Sequence, residues 1–357
     1  MKRRYLRILQ AVMVLLAVIA FRGLKAEPGA QPDKKQYQMY GVAFYNLENL
    51  FDTINNNGKY DLEFSPQGKN NWNGHKYRTK LGNLAYAISQ MTTTATPMGP
   101  AIIGVSEIEN ESVLRDLVSQ DAIKKWHLQV IHHDSPDKRG VDVGLLYNPR
   151  FFRPTGVTNH RLVIPEMPDF LTRDQMCVVG DLGGSPVAVI VNHWPSRRGG
   201  SEQSSFLREA AAALSRSIAD SVMAVNPNIG VIILGDLNDD PSDRSCSQVL
   251  GAVRDKDACR PGGFYNPFWK KLDDGIGSYI YRGQWDLFDQ IIVNHNLVSG
   301  AADGLTFKDA QVLNKEFLKQ ADGQYKGYPL RTFSGGVWTG GYSDHFPTEI
   351  FLVKEVK

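Results

Sequence analysis

Short runs of apolar residues recur along the chain, and many of them are apolar throughout. A strand with one solvated face alternates apolar and polar residues, so a strand that is apolar throughout is expected to be covered on both faces. The chain is therefore predicted to fold around buried strands with further layers packed on each side. The predicted strands are Tyr40–Tyr45, Ala101–Ser106, Asp142–Tyr147, Pro186–Asn192, Gly230–Gly235, Phe288–Val293 and Thr348–Val353.

Helical periodicity in the sequence predicts the helices that form the outer layers. Arg78–Met91 and Ser205–Val225 each place apolar residues on one face, and a third helix is expected to begin after Asn110, a good N-cap residue. The stretch Asn55–Gly74 is predicted to be a long surface loop, and residues 251–286 a second irregular insertion. These segments fit one domain with two packed sheets and outer helices, because no linker divides residues 38–357.

The N-terminus is predicted to lie outside this domain. Four basic residues precede the apolar run Ile8–Phe21, and a short polar segment ending at Ala26 follows. This order is typical of a signal peptide, and the run is shorter than the roughly 20 residues that a membrane-spanning helix needs. We expect a signal peptide over residues 1–26, a linker over 27–37 and export to the periplasm or the extracellular space. No stable membrane insertion is expected after removal of the signal.

The charge of the remaining chain argues against a bulk polyanion binder. The full sequence has 40 basic and 38 acidic residues, but residues 1–26 hold six basic and no acidic ones, which leaves 34 basic against 38 acidic residues. Binding to nucleic acid would then require a local basic patch. The cysteines leave two alternatives open. Cys246 and Cys259 could form a disulfide worth about 3 kcal/mol, or these two and Cys177 could all be reduced.

Polar side chains occur where the apolar strands begin or end. If these strand ends meet, they form one acidic pocket that contains two histidines. Divalent cations prefer hard oxygen ligands, and an attacking water needs a base beside it, so such a pocket suits metal-assisted phosphate chemistry. The residues are Asn46, Glu107, His193, Asp236 with Asn238, Asp289, and Asp344 with His345. His132 and His133 are not expected to ligate a metal together, because adjacent side chains on a strand point in opposite directions.

The motifs around these residues resemble, in their order, those of the endonuclease/exonuclease/phosphatase superfamily, with its deoxyribonuclease I-like fold, in its secreted bacterial form. The resemblance covers nearly all of residues 40–353, and seven ordered motifs are far more specific than any one of them. The motifs are Asn46-Leu47-Glu48-Asn49, Ser106-Glu107-Ile108-Glu109-Asn110, Arg139-Gly140-Val141-Asp142-Val143, Asn192-His193-Trp194-Pro195-Ser196-Arg197, Gly235-Asp236-Leu237-Asn238, Phe288-Asp289-Gln290-Ile291 and Ser343-Asp344-His345.

The resemblance implies a four-layer α/β sandwich, in which two packed mixed β-sheets are flanked by helices and the site lies at one edge. It also implies that Glu107 binds Mg²⁺ or Mn²⁺, with Asn46 beside it and Asp344 as a possible second ligand. This metal would polarise a phosphate oxygen.

The resemblance further implies the catalytic roles. Asp236, positioned by Asn238, would orient or deprotonate the attacking water. His345 would contact the phosphate or assist proton transfer, with Asp289 holding its tautomer. His193 would contact the phosphate or the leaving group. Which of these residues is the general base stays open.

Three residues are candidates for substrate binding. Arg139 and Arg197 could bind phosphate, and Trp194 could stack on a base or a sugar. The function expected from the sequence is a metal-dependent phosphodiester hydrolase, foremost a secreted endonuclease that acts on DNA or RNA. The alternative is a phosphatase or phosphodiesterase that acts on inositol phosphates, lipid headgroups or other small phosphate esters.

Overall fold

The apolar strands pack face to face as two mixed β-sheets in a computed structural model, which describes residues 35–54 and 62–356. The strands are β1 (Gln36–Leu50), β2 (Ile102–Ile108), β3 (Gln129–His132), β4 (Asp142–Tyr147), β5 (Phe152–His160), β6 (Gln175–Leu182), β7 (Ser185–His193), β8 (Gly230–Asp236), β9 (Ala252–Val253), β10 (Phe264–Tyr265), β11 (Tyr279–Tyr281), β12 (Gln284–Asp286), β13 (Asp289–Asn294), β14 (Thr306–Val312), β15 (Phe333–Ser334), β16 (Val337–Trp338) and β17 (Thr348–Val356).

Five α-helices lie between these strands in the described residues. They are α1 (Gly74–Ser89), α2 (Glu111–Val118), α3 (Ser205–Val225), α4 (Phe268–Asp273) and α5 (His295–Ser299). Asn110 caps α2 as predicted, because its side-chain oxygen accepts a hydrogen bond from the backbone N–H of Val113. The helix predicted to begin at Arg78 begins earlier, at Gly74, because Asn73 caps it by accepting from two backbone N–H groups.

Each of the two large sheets combines parallel and antiparallel strands, while β11 with β12 and β15 with β16 form two-stranded antiparallel sheets. The first sheet has the order β14-β17-β1-β2-β4-β3, with β1 and β2 parallel. The second sheet has the order β5-β6-β7-β8-β13-β10-β9, with β7 and β8 parallel. Antiparallel neighbours flank both parallel pairs, so the sheets are mixed as expected.

The alternation of side chains along β1 shows how the layers are held together. Val42 and Phe44 pack between the two sheets, in a cluster with residues of β7, β8 and β13. Ala43 and Tyr45 point the other way and pack with α1 and α2. The outer face of the second sheet packs in the same manner on α3. Both faces of both sheets are therefore covered, which explains the continuous apolar runs and confirms the four-layer sandwich.

The two segments predicted to be irregular contribute more structure than expected. Within Asn55–Gly74, residues 55–61 lie outside the described part, but Trp72 is fully buried and its indole N–H donates to the backbone oxygen of Phe51 at 2.9 Å. Residues 251–286 contain short strands, including the hairpin of β11 and β12. These elements could not be predicted because they lie in long polar stretches that lack a periodic apolar pattern. Isolated aromatic residues anchor them instead.

Several predictions concern the ends of the chain and the cysteines. The expected signal peptide, residues 1–26, and most of the expected linker lie outside the described residues. Among the residues that the structure describes, no helix combines the length and apolar character needed to cross a membrane. Cys177, Cys246 and Cys259 are all free and buried, so the alternative with a disulfide between Cys246 and Cys259 is not seen.

Candidate active site

The strand registers bring the predicted polar residues to one end of the sandwich. In the first sheet, Asn46 on β1 lies opposite Ser106 on β2, next to Glu107. In the second sheet, Asp236 on β8 lies opposite His193 on β7 and Asp289 on β13. Because both parallel pairs run toward the same end, the carboxylates and the histidines meet in one place.

The backbone conformation departs from regular strand geometry at several residues of the site. Four residues at the site have left-handed backbone conformations, which cost non-glycine residues of order 1–3 kcal/mol and cluster at functional sites. At Glu107 this conformation coincides with a register shift between β2 and β4, which turns the carboxylate out of the sheet ladder. The residues, with their φ angles, are Glu48 (46°), Asn49 (53°), Glu107 (58°) and Asn238 (51°).

Asp289 and His345 form a buried hydrogen-bonded pair. His345 Nδ1 lies 2.7 Å from Asp289 Oδ2, which also accepts a hydrogen bond from Ser278 Oγ at 2.5 Å. This contact fixes the orientation of the imidazole and turns His345 Nε2 toward Asp236 Oδ2, 3.8 Å away. Burial opposes charge on the imidazole, but the carboxylates of Asp289 and Asp236 outweigh it and hold the pKa of His345 well above its ordinary value. His345 is therefore a cation at neutral pH.

Asp236 has a carboxyl group whose pKa lies close to neutral pH. Its Oδ2 accepts a hydrogen bond from Asn46 Nδ2, and its Oδ1 accepts one from the backbone N–H of Asn238, both at 3.0 Å. Burial raises the pKa of Asp236 to about 6, although the charge of His345 acts in the opposite direction. A carboxylate with this pKa is ionised at neutral pH and still basic enough to accept a proton.

His193 lies between the two carboxylates that face the pocket. Its Nε2 is 3.6 Å from Asp236 Oδ2 and 4.0 Å from Glu107 Oε1. Burial, together with the charges of Arg173 and Arg139, holds the pKa of His193 well below its ordinary value. The imidazole is therefore neutral, and among the described residues its Nδ1 has no hydrogen-bond partner.

Arg173 is a site residue that sequence analysis missed. Its guanidinium donates to the backbone oxygen of His193 at 3.1 Å, to that of Trp194 at 2.6 Å and to Asp137 Oδ2 at 3.0 Å. These contacts fix the end of β7. Arg173 precedes an apolar strand in a segment without a motif, so only its buried position in the structure reveals it.

Glu107 supplies a carboxylate that stays ionised. It accepts hydrogen bonds from the backbone N–H of Asn49 at 3.0 Å and from Arg139 Nη1 at 3.2 Å. Burial would raise its pKa, but the charge of Arg139 and its hydrogen bond outweigh burial and leave the pKa below its ordinary value. Arg139, expected to bind phosphate, thus contacts the expected metal ligand.

Asp344 sits beside this carboxylate cluster within a second ion-pair network. Arg331 donates to Asp344 Oδ2 at 2.8 Å and to Glu48 Oε1 at 3.2 Å. Glu48 is also 3.6 Å from the buried ammonium of Lys80. Arg331 and Lys80 were missed, because neither belongs to one of the sequence motifs.

The oxygen atoms at this edge suit a hard divalent cation. The Glu107 carboxylate is ionised, Asp344 offers a second carboxylate, and Asn46 offers an amide oxygen that accepts the backbone N–H of Glu48 at 2.9 Å. Two further groups of described residues could chelate an ion by geometry: Asp236 with Asp289 and His345, and His132 with Asp134 and Asp142. The first group is already joined by a histidine–carboxylate hydrogen bond, which suits proton handling rather than chelation.

Glu107, His193, Asp236, Asp344 and His345 line a cavity of about 400 Å³. Arg139, Arg173 and Arg197 are among the residues that line it. Arg197 also forms ion pairs with aspartates, including Asp243 at 2.8 Å and Asp286 at 3.3 Å. Asn238 lines the cavity as well and donates from its side chain to the backbone oxygen of Trp194 at 3.1 Å.

Trp194 does not have the exposure that its expected role requires. Only 1 % of its surface is accessible, and its indole N–H donates to Asn192 Oδ1 at 3.1 Å. It packs in the cluster between the second sheet and α3. The prediction that Trp194 stacks on a base or a sugar is therefore wrong, because proximity in sequence to His193 does not place the ring in the cavity.

Aromatic residues that sequence analysis did not select line the cavity instead. Tyr279 and Tyr281 come from β11, and Phe288 precedes β13. The alternation Tyr-Ile-Tyr is typical of a strand with an aromatic face, and this signal could have identified them.

The chain has recognisable relatives in sequence and in structure. The sequence profile described as the Endonuclease/Exonuclease/phosphatase family matches residues 41–354. No curated protein matches the chain in a sequence search.

Three solved structures illustrate the structural likeness, and at their level of identity each shows a common fold alone. An endonuclease/exonuclease/phosphatase family protein from Bacteroides thetaiotaomicron is 17 % identical, with a TM-score of 0.52 over 90 % of this chain and 98 % of that one. TDP2 from D. rerio, complexed with a single-strand DNA product, is 12 % identical, with a TM-score of 0.53 over 88 % and 98 %. A mannosyl-6-phosphatase from Bacteroides thetaiotaomicron is 16 % identical, with a TM-score of 0.51 over 88 % and 99 %.

Proposed function

Because the chain belongs to the endonuclease/exonuclease/phosphatase family, whose members hydrolyse phosphoesters, we propose that it hydrolyses phosphate esters by metal-assisted attack of water on phosphorus. One observation carries this proposal. Three groups line the same cavity: the ionised carboxylate of Glu107, the carboxylate of Asp236, whose pKa is about 6, and the cationic His345. A metal ligand, a base and a cation for the phosphate are thus available together.

Each residue has a role that its surroundings support. Glu107, with Asn46 and Asp344, would hold Mg²⁺ or Mn²⁺, which when bound polarises a phosphate oxygen and stabilises the charge that develops there. Asp236 accepts a proton from the attacking water, and Asn46 and the backbone of Asn238 orient its carboxylate. The water oxygen bonds to phosphorus as the bond to the leaving oxygen breaks, so water adds across the ester.

The two histidines divide the remaining work. His345, fixed by Asp289, donates from Nε2 to a phosphate oxygen. His193 is neutral, so one of its nitrogens can donate to the phosphate or to the leaving group without adding charge. Arg139 lines the cavity near His193 with a partly exposed side chain and would attract the phosphate to this side. Arg173 is paired with Asp137 and holds the end of β7 in place.

Two substrate classes fit this chemistry, and the fold serves both, since one structural neighbour was solved with a DNA product and another is a mannosyl-6-phosphatase. A secreted endonuclease that acts on DNA or RNA is the function expected from the sequence. Its support included a stacking role for Trp194 and a phosphate contact from Arg197. Trp194 is buried and Arg197 is already paired with aspartates, so the geometry favours small phosphate esters.

The first experiment separates the chemistry from the substrate. The purified protein would be incubated with supercoiled plasmid and, separately, with small phosphate monoesters and diesters, with added Mg²⁺ or Mn²⁺. We expect turnover of at least one class that EDTA abolishes, that added metal restores and that Asp236→Asn removes. Turnover that survives both EDTA and Asp236→Asn would contradict the proposed site.

We further propose that residues 1–26 direct export of the chain and are then removed, as the N-terminal sequence suggests. Mass spectrometry of the intact protein from fractionated cells tests this. A mature species that begins near Glu27 in the periplasmic or extracellular fraction is expected. Full-length protein that begins at Met1 in the cytosolic fraction would contradict it.

A further inference from the structure

The charges around the cavity are unevenly distributed. Arg139 and Arg173 lie on the side of Glu107 and His193, where the phosphate is expected to react. On the side of Arg197, four carboxylates surround one guanidinium. Their distances to Arg197 are 3.4 Å for Asp239, 3.5 Å for Asp240, 2.8 Å for Asp243 and 3.3 Å for Asp286.

On this second side the four carboxylates outnumber the two guanidiniums, those of Arg197 and Arg208, that pair with them. Arg208 pairs with Asp239, and Arg198, which is exposed, also lines the cavity. Burial raises the pKa of Asp240 to about 6, which still leaves it mostly ionised at neutral pH. A second phosphate placed on this side would meet carboxylates whose countercharges are already engaged. A substrate with one phosphate avoids this repulsion, whereas a nucleic-acid strand does not.

Aromatic rings form one wall of the same cavity. Tyr279 stacks on Phe288 with ring centroids 5.3 Å apart, and its other neighbour is His345, 4.8 Å away. Tyr281, two residues along β11, is 56 % exposed while it lines the cavity. An exposed aromatic ring at a cavity offers a flat apolar surface to the face of a ligand ring.

The hairpin that carries this wall is fixed to the catalytic residues. Ser278 Oγ donates to Asp289, and the backbone N–H of Phe346 donates to the carbonyl of Ser278 at 2.7 Å. Tyr279 is also bridged to His345 in antiparallel fashion. Tyr281 therefore has a set position relative to His345, which a specificity-determining residue requires.

We infer that the hairpin of β11 and β12 forms the leaving-group subsite, and that it selects esters with a single phosphate on an uncharged, hydroxylated ring. The ring of the leaving group packs on Tyr281, and one of its hydroxyls donates to Asp286, which lines the cavity at the end of β12. This inference rests on the proposed phosphate ester hydrolysis and adds the class of leaving group.

Two monoesters of equal charge test the subsite. A hexose 6-phosphate carries the ring, and glycerol 3-phosphate lacks it. We expect Tyr281→Ala to lower kcat/KM for the hexose phosphate about tenfold, mainly by raising KM. The same substitution should leave kcat/KM for glycerol 3-phosphate unchanged. Tyr281→Phe keeps the ring and should retain near-normal kinetics. Tyr37→Ala is the matched control, since Tyr37 is also exposed and lies nine residues before Asn46 on β1, roughly 30 Å away.

A substrate with a second phosphate tests the role of the carboxylates around Arg197. Hexose 1,6-bisphosphate should be turned over at least tenfold more slowly than the hexose 6-phosphate, and Asp286→Asn should narrow that difference. Plasmid should be cleaved more slowly than the hexose phosphate.

The outcomes separate the inference from the proposed function. If the wild type hydrolyses these esters in a metal-dependent way and Tyr281→Ala affects both monoesters equally or neither, the subsite is wrong and the hydrolase stands. Preferred cleavage of plasmid or bisphosphate also overturns the subsite. If the wild type hydrolyses no phosphate ester, the proposed function fails and the subsite with it. Circular dichroism and thermal unfolding of each variant show that it is folded.

Discussion

Asp236 is the residue whose surroundings most directly predict a measurable behaviour. Burial raises its pKa to about 6, and its proposed role requires the ionised form. The reaction should therefore be slow below pH 5 and should rise through pH 6 toward pH 7. A profile of kcat/KM against pH measures this. A flat profile between pH 5 and 7 would remove Asp236 from the role of base.

Substitution of the same residue gives the size of its contribution. Asp236→Asn keeps the shape of the side chain and removes the basic oxygen, so kcat should fall by about 10²–10⁴-fold. The exposed Asp322→Asn serves as the control and should retain full activity. Equal rates in the two variants, with both folded, would reject the assignment.

Residues at strand ends were predictable from the sequence, whereas residues that reach the site from elsewhere were not. Asn46, Glu107 and Asp236 each follow an apolar run, and strand polarity alone brings them together. Arg173 and Arg331 act through side chains from irregular segments, and their partners are distant in sequence. A local pattern carries no information about such pairs.

The contact between the two sheets depends on Gly104 in β2. A Cβ atom at this position would lie 2.2 Å from Leu234 Cδ1 and 3.2 Å from the ring of Phe44. Gly104→Ala should therefore lower the free energy of unfolding by about 1–3 kcal/mol. Gly156→Ala in β5 is the matched control, because its Cβ would meet nothing within 4 Å. Urea denaturation of both variants measures the difference, and equal values would show that the sheets yield at this point.

Glu349 on β17 makes the stability of the first sheet depend on pH. Burial raises its pKa to about 8, and Gln311 donates to one of its oxygens at 2.8 Å. A folded pKa above the ordinary 4.5 means that the stabilising contribution is complete below pH 4.5 and is lost as the pH rises through 8.

Between pH 5 and 8 the wild type should lose stability relative to Glu349→Gln by about 1.4 kcal/mol per pH unit. Denaturation at several pH values measures this slope. Glu316→Gln, at a side chain that is 91 % exposed, should follow the wild type. Parallel curves for wild type and Glu349→Gln would show that the buried carboxyl does not take up a proton on folding.

Elements with strong periodicity were predicted best. Helix α3 has the bounds that its apolar face predicted, and the seven apolar runs are all strands. The hairpin of β11 and β12 was missed, because its strands are three residues long and their stability comes from Ser278 and Trp285 packing on residues far along the chain. The order of the strands within each sheet also required the structure.

For the whole molecule, metal binding is predicted to add stability, because the proposed ligands come from different parts of the chain. Asn46 and Glu107 lie on separate strands, and Asp344 lies near the other end of the sequence. A cation that binds only the folded state stabilises it by about 2.7 kcal/mol at one hundred times its Kd.

Thermal unfolding with increasing Mg²⁺ or Mn²⁺ measures this stabilisation without any substrate. The midpoint should rise with metal in the wild type and in the exposed Glu202→Gln variant, and should respond weakly or not at all in Glu107→Gln. An equal rise in all three proteins would place the ion elsewhere.

The three free thiols make local unfolding of this protein measurable by chemical labelling. Cys177 lies in a sheet, Cys246 lies against α3 and Cys259 lies in a loop, so they report on three different parts of the structure. Burial raises the pKa of Cys177 to about 11, which keeps the thiol protonated and slow to react while the protein is folded. An alkylating reagent would thus mark each region only when it unfolds, and the order of labelling would report which layer of the sandwich separates first. The same shielding protects the three thiols from oxidants for as long as the protein stays folded.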